Sequence, residues 1–262
     1  MTGARFSLAG RCALITGASS GIGRAIAIAL AEQGARLVLH HHGDAQGAAE
    51  TARRVGGAPV LEADFTEAGE AQRLAGAALS RHGPIDILVA NAAIERRMAW
   101  LDIGEDHLQA HLRANLLSLL ALSQALTPSM AGRGWGRVVA IGSIMATRPR
   151  AETLAYAAIK AAQLVAVRAM ARDLAPGGVT MNVVSPGAIE IEKNAERYAD
   201  AGFRRAVVAK IPVGRPGRGD DVAGAVAFLC SEAAAYITGA DIPVDGGWGI
   251  GDAPGMLPGE AT

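Results

Sequence analysis

The sequence predicts an α/β fold: a single domain over residues 1–250, built on a doubly wound parallel sheet with helices on both faces. Three observations predict it. Short apolar runs suited to buried parallel strands alternate six or seven times with longer segments of helical period. A glycine-rich turn joins the first strand to the first helix. No linker and no repeat of solenoid length divides the 262 residues, which suffice for one large core.

Composition narrows the partners. Hydrophobic residues make up 50% of the chain and aromatics only 4%, so the core is expected to consist of Ala, Val, Leu and Ile. Lys plus Arg (25) balances Asp plus Glu (25), with neither sign gathered into a block. That distribution points to a small-molecule substrate, with no nucleic acid and no membrane as partner. Cys12 and Cys230 lie in apolar segments and read as reduced core thiols. The N-terminus lacks an apolar signal core and no apolar run approaches membrane-spanning length, so a cytoplasmic location is expected. Residues 251–262 have the composition of a flexible tail.

Arg11–Thr16 is the first strand, followed by Gly17-Ala-Ser19-Ser20-Gly21-Ile22-Gly23 and a helical pattern. The glycines let backbone approach a pyrophosphate, and the helix start offers free N–H groups and a positive dipole end. Ala35–His40 is the second strand. No carboxylate stands at its end, where an acid would grip an adenosine ribose; His40, His41 and His42 stand there instead. Adjacent strand residues point to opposite faces and no cysteine or carboxylate cluster completes a site, so no metal is expected. His41 is the candidate for a phosphate contact. A helix over 45–55 leads to a third strand, Ala58–Ala63, with Asp64 and Phe65 at its end, available to an adenine or, for Asp64, to a helix cap. A helix over 67–82 precedes the fourth strand, Ile85–Ala90, and Asn91-Ala92-Ala93. Glu95–Trp100 is a candidate pocket wall.

A long helix over 105–128 carries an isolated amide, Asn115, in apolar surroundings. The stretch 138–162 then passes from an apolar strand to Ser143 and Met145, through a loop bearing Arg148 and Arg150, into a helix with Tyr156 and Lys160. Spacing of four puts those two side chains on one helix face, where an ammonium favours ionisation of a phenol. After that helix come the strand Val179–Ser185, the turn Pro186-Gly187, a weakly periodic candidate lid over 188–211, a helix over 220–231 and a last strand within 237–247.

These motifs, in this order, resemble those of the short-chain dehydrogenase/reductase family: Thr16-Gly17-x-x-x-Gly21-x-Gly23, Asp64, Asn91-Ala92-Ala93, Asn115, Ser143, Tyr156-x-x-x-Lys160, Pro186-Gly187 and Asp245-Gly246-Gly247. The resemblance implies a Rossmann-like fold and NADP or NAD as cofactor, with NADP favoured by the missing acid. It implies Tyr156 as acid-base, Ser143 as holder of the substrate oxygen, Lys160 as depressor of the Tyr pKa and ligand of the nicotinamide ribose, and Asn115 as holder of a water in a proton path. Gly17 to Gly23, Asn91, Ala92 and the backbone from Pro186 through Gly187 to Ile189 would line the cofactor. Two departures stand out: Ala93 replaces the family's usual glycine, and Ile191 replaces a frequent threonine. Segments 91–95 and 186–200 are similar to those of bacterial glucose 1-dehydrogenases, which implies a sugar substrate near Glu95, Met145 and Asn194, with Glu196 at the rim. A 3-oxoacyl thioester reductase is the alternative enzyme, with Arg148 and Arg150, or Arg96 and Arg97, facing an acidic carrier protein. A non-catalytic nucleotide-binding sensor or scaffold is the alternative of another class. A homotetramer is the family's usual assembly.

Overall fold

The computed structural model describes residues 5–251; the predicted tail beyond them lies outside the described residues. The first half of the chain runs β1 (Cys12–Ile15), α1 (Gly21–Glu32), β2 (Arg36–His41), α2 (Ala45–Arg54), β3 (Val60–Glu62), α3 (Glu70–His82), β4 (Ile87–Ala90) and α4 (Glu105–Leu112). The second runs α5 (Ser118–Gly132), β5 (Gly136–Ile141), α6 (Leu154–Leu174), β6 (Val179–Pro186), β7 (Ile189–Glu190), α7 (Ala195–Ala199), α8 (Ala201–Val208), β8 (Gly217–Arg218), α9 (Gly219–Cys230) and β9 (Asp241–Val244). Seven parallel strands form one sheet in the order β3-β2-β1-β4-β5-β6-β9, and β7 pairs with β8 beside it.

Strand alternation divides the core in two. Cys12 and Leu14 of β1 pack with Leu74 of α3, Leu122 of α5 and Val167 of α6. Their neighbours Ala13 and Ile15 pack on the other face with Ile26 and Leu30 of α1 and Val226 of α9. Each fully buried Leu or Ile contributes about 1.5–3 kcal/mol relative to exposure, so both faces of the sheet are held by aliphatic burial. Chain order reverses between β1 and β4, which opens a crevice beyond their carboxyl ends.

Three expectations are corrected. The helix predicted over 105–128 is helical throughout but not regular: α4 passes into α5 through a π-helical turn at Arg113–Leu117, with Asn115 at its centre. Pro128 does not end α5, which continues to Gly132. The segment 151–177, α6 with its flanking turns, has the length and mean hydropathy (1.3) of a membrane span, contrary to the sequence reading. It packs on β6 and the π turn as a core helix, with Lys160 and Gln163 buried. Within 188–211, two short helices build a small cluster of their own from Tyr198, Val207 and Ile211, with Phe203 and Trp248 against it.

Candidate active site

A continuous cleft of about 1870 Å³ runs along the carboxyl ends of the strands. That is larger than a pocket for one drug-sized ligand and accommodates a dinucleotide together with a substrate. At its base a side chain on Gly17 (φ 66°) would strike the Asn91 amide at 2.9 Å, and one on Gly23 would lie 2.0 Å from the Gly17 carbonyl. Asn91 turns its amide into this loop, donating to the carbonyls of Thr16 and Gly17 at 2.9 Å each. Ser20 precedes α1 without capping it. The α1 N-terminus therefore keeps its affinity for anions, and a pyrophosphate fits this cradle. The Glu192 carboxylate uses that affinity, accepting the Gly21 N–H at 3.0 Å and pairing with Arg24 at 2.8 Å.

The pleat of β2 sorts its histidines. His40 lines the cleft, accepting the Gly17 N–H on Nδ1 at 3.1 Å with Nε2 3.0 Å from the Ala63 carbonyl. Because Nδ1 accepts, Nε2 carries the proton. Burial lowers its pKa to about 4, so this imidazole is neutral. His42 is exposed on the same side, 3.6 Å from Asp64 Oδ2. His41, the residue expected at the phosphate, is only 5% exposed and is not part of the cleft wall, because it has the opposite parity. Asp64 lines the cleft while its Oδ1 accepts from the Thr66 N–H and hydroxyl. Burial works to raise its pKa, and those Thr66 bonds bring it below the usual value. Phe65 also borders the cleft, its ring stacked on His40 at 4.4 Å. Ala92 lies outside the wall, with its N–H on the Thr16 hydroxyl, whereas Ala93 lines it.

Ser143, Tyr156 and Lys160 meet where β5 ends against the first turns of α6. Ser143 Oγ accepts the Met145 N–H at 3.1 Å, which sets the turn after the strand. Burial pushes Tyr156 up to about 12; bonding to the Ser143 hydroxyl lowers it part-way and the Glu95 charge adds to the rise. Lys160 is 2% exposed, donates to the Ile141 carbonyl at 2.6 Å, and is drawn down to about 7 by burial. Its Nζ stands 5.7 Å from the Tyr156 ring centre. Burial thus moves the Tyr156 pKa in the direction opposite to the depression expected from Lys160.

Asn115 does not reach the cleft wall. Its side chain bonds both ways to Ile94, at 2.9 Å from each backbone group, and so anchors the segment after β4. Its own carbonyl accepts from Gln163 Nε2 at 3.3 Å, and Gln163 Oε1 accepts from Lys160 at 3.3 Å. Gln163 was not singled out from the sequence. The signal was there, because Tyr156, Lys160 and Gln163 follow i, i+4, i+7 along an otherwise apolar helix.

At the other end Glu95 and Met145 line the cleft. Asn194 borders it too, but its side chain closes a turn with the backbone of Ile189 and Ile191. Glu196 does not face it. Pro186, Gly187 and Ile189 are in the wall, and so are Arg97, Arg148, Arg150, Lys193, Arg197 and Lys210, cations drawn from several loops.

Comparison with known proteins agrees with this geometry. A family model described as enoyl-(acyl carrier protein) reductase matches residues 17–249. The chain is 35% identical over 253 residues to the 3-oxoacyl-[acyl-carrier-protein] reductase MabA of Mycobacterium bovis, covering 95% of this chain and 97% of that one. It superposes with a TM-score of 0.89 on a 3-oxoacyl (acyl-carrier-protein) reductase of Agrobacterium tumefaciens solved with NADP bound (38% identity, 94% of this chain, 97% of that one). A gluconate 5-dehydrogenase of Burkholderia cenocepacia, in complex with NADP and tartrate, gives a TM-score of 0.88 (34% identity, 96% and 100% covered). With its glycine turn, its Ser143-Tyr156-Lys160 group and these likenesses over nearly its whole length, the chain belongs to the short-chain dehydrogenase/reductase family of NAD(P)-dependent oxidoreductases.

Proposed function

We propose that the protein interconverts a secondary alcohol and its ketone on a small sugar-like substrate that carries a carboxylate, with NADP as cofactor. The observation that carries this reading is the positive charge along the cleft wall. Arg97 pairs with Glu95 at 3.4 Å and Arg150 with Glu152 at 3.9 Å, whereas Arg148, Arg197 and Lys210 have no carboxylate partner among the described residues. Uncompensated cations beside a polar cleft favour an anionic ligand. A neutral aldose, the substrate class of the glucose 1-dehydrogenase-like reading, leaves them unpaired. The gluconate 5-dehydrogenase described with tartrate supports the choice.

Bound nicotinamide supplies or accepts the hydride. Ser143 holds the substrate oxygen, and Tyr156 gives its proton to that oxygen in reduction and takes one back in oxidation. A phenol held protonated suits the reducing direction at neutral pH. Ser19 to Gly23 and the backbone from Pro186 to Ile189 would carry the pyrophosphate and nicotinamide, and His42 would stand beside a 2′-phosphate. Residues 188–211 would close over the substrate as a lid. Exposed Leu108, Leu117, Leu154 and Val165 along α4 to α6 support a homotetramer, which light scattering of the purified protein tests. Cytoplasmic location is part of the proposal.

The alternative is 3-oxoacyl-carrier-protein reduction, favoured by the sequence relatives and by the same cations facing an acidic carrier. Nicotinamide absorbance, followed with NADP and NAD against sugar acids, aldoses and 3-oxoacyl thioesters, separates the readings. Sugar-acid turnover that is lost in Tyr156→Phe supports the proposal. Thioester reduction without it moves the protein to fatty-acid chemistry. Cofactor binding without turnover of any substrate would favour the sensor reading.

A further inference from the structure

We propose that Gln163 is a positioning residue of the active site, tying the Lys160 ammonium to the backbone of the π turn through its side-chain amide. This rests on the catalytic reading of Tyr156 and Lys160 given above. Three observations carry it. The Gln163 side chain is 2% exposed, so any polar atom left unbonded there costs about 1–3 kcal/mol. Both ends of the amide are used: Oε1 accepts from Lys160 Nζ at 3.3 Å and Nε2 donates to the Asn115 carbonyl at 3.3 Å. The orientation is fixed by chemistry, since an ammonium only donates and a carbonyl only accepts.

The third observation is the π turn itself. Widening the helix at Arg113–Leu117 lengthens its internal hydrogen bonds to i→i+5, and in this distorted stretch the Asn115 carbonyl has the Gln163 amide as a partner. Gln163 thus spans from α6 to that turn, while Lys160 is held from the other side by the Ile141 carbonyl at 2.6 Å. Two fixed acceptors, one on β5 and one on α6, define where the ammonium sits relative to Tyr156. An apolar residue in this place would satisfy the core and leave Lys160 with one acceptor fewer. The polar groups acting on the pair are Ser143 from the turn after β5, Glu95 from the segment after β4, and, through Gln163, the Asn115 backbone; Glu95 is the charged one that acts on Tyr156.

The sign of the effect follows. Gln163 Oε1 stabilises the charged form of Lys160, and a charged Lys160 favours the Tyr156 phenolate. Removing the acceptor therefore raises the pH at which Tyr156 becomes a base. Gln163→Met keeps chain length and core volume and removes both hydrogen bonds. The expected result is a kcat about tenfold lower, as for loss of other outer hydrogen bonds to an active group. The acid limb of kcat/KM for alcohol oxidation should move to higher pH, with NADPH affinity unchanged in a fluorescence titration. Gln163→Leu likewise removes both hydrogen bonds and is expected to move the limb in the same direction; it serves if the Met variant folds poorly. Wild-type pH profiles in both variants overturn the proposal, as does a loss of kcat with the limb unmoved. If Tyr156→Phe retains turnover, the catalytic reading and this inference fall together; if it is inactive while the Gln163 variants behave as wild type, only the inference falls.

Discussion

Glu192 reaches across 171 positions of sequence to set its carboxylate on the Gly21 N–H at 3.0 Å, at the N-terminus of α1. A carboxylate at a helix N-terminus is worth about 0.3–1 kcal/mol, less where solvent screens it, and this side chain is largely exposed. A cofactor pyrophosphate bound at this turn, as proposed, would claim the same N–H and displace the carboxylate. Glu192→Gln should therefore bind NADP about two- to fivefold more tightly. Titration of intrinsic fluorescence checks this, and unchanged or weaker binding would mean that Glu192 stays on the turn when cofactor is bound.

Cofactor preference should respond at position 42, because the pleat of β2 turns His42 to the cleft and His41 into the interior. His42→Asp places a second carboxylate beside Asp64, and the kcat/KM ratio of NADP to NAD should fall about tenfold or more from like-charge repulsion. His41→Asp buries a charge and is expected to lower Tm without selective loss of NADP. A selective loss in the His41 variant alone would reverse this assignment.

Proton transfer sets a pH signature. With Tyr156 held near 12 by burial, oxidation, which needs the phenolate, should climb through neutral into alkaline pH. Reduction, which needs the phenol, should stay level until the alkaline range. Tyr156→Phe should lower turnover in both directions by about 10²–10⁴-fold with cofactor affinity kept. Steady-state profiles in the two directions measure all of this, and an oxidation profile that is flat from pH 6 to 9 would contradict the assignment.

His40 predicts the acid side of the stability curve. Its folded pKa of about 4 lies below the ordinary value of 6.5, so the unfolded chain binds the extra proton between them. Stability from this group is complete above the ordinary value and is lost as pH falls through the folded one. Protonation of Nδ1 in the folded protein also removes the acceptor of the Gly17 N–H, so cofactor affinity should weaken only as pH approaches the folded value of about 4. Thermal unfolding from pH 7 to 4, compared with His40→Gln, should show a shallower decline in the variant.

Much of this protein was legible in its sequence because the relevant physics is local. A strand, a glycine turn and a helix are neighbours in the chain, and the glycines are demanded by contacts within that turn and with the adjacent Asn91 strand end. The spacing of Tyr156 and Lys160 fixes them on one face of α6 wherever that helix lies. The doubly wound parallel sheet follows from alternating apolar runs and right-handed crossovers, whereas the order of its strands is set by the tertiary structure. Other features needed the tertiary structure. Gln163 meets the Asn115 carbonyl across 48 positions, and only because a π turn interrupts a helix that reads as continuous. The Tyr156 pKa depends on how much water the fold removes, which residue spacing alone does not show. The cations of the cleft wall come from loops scattered from Arg97 to Lys210, and their common wall is a property of packing. Short-range geometry is written in residue spacing, whereas burial and long-range approach are settled only when the whole chain has closed on its core.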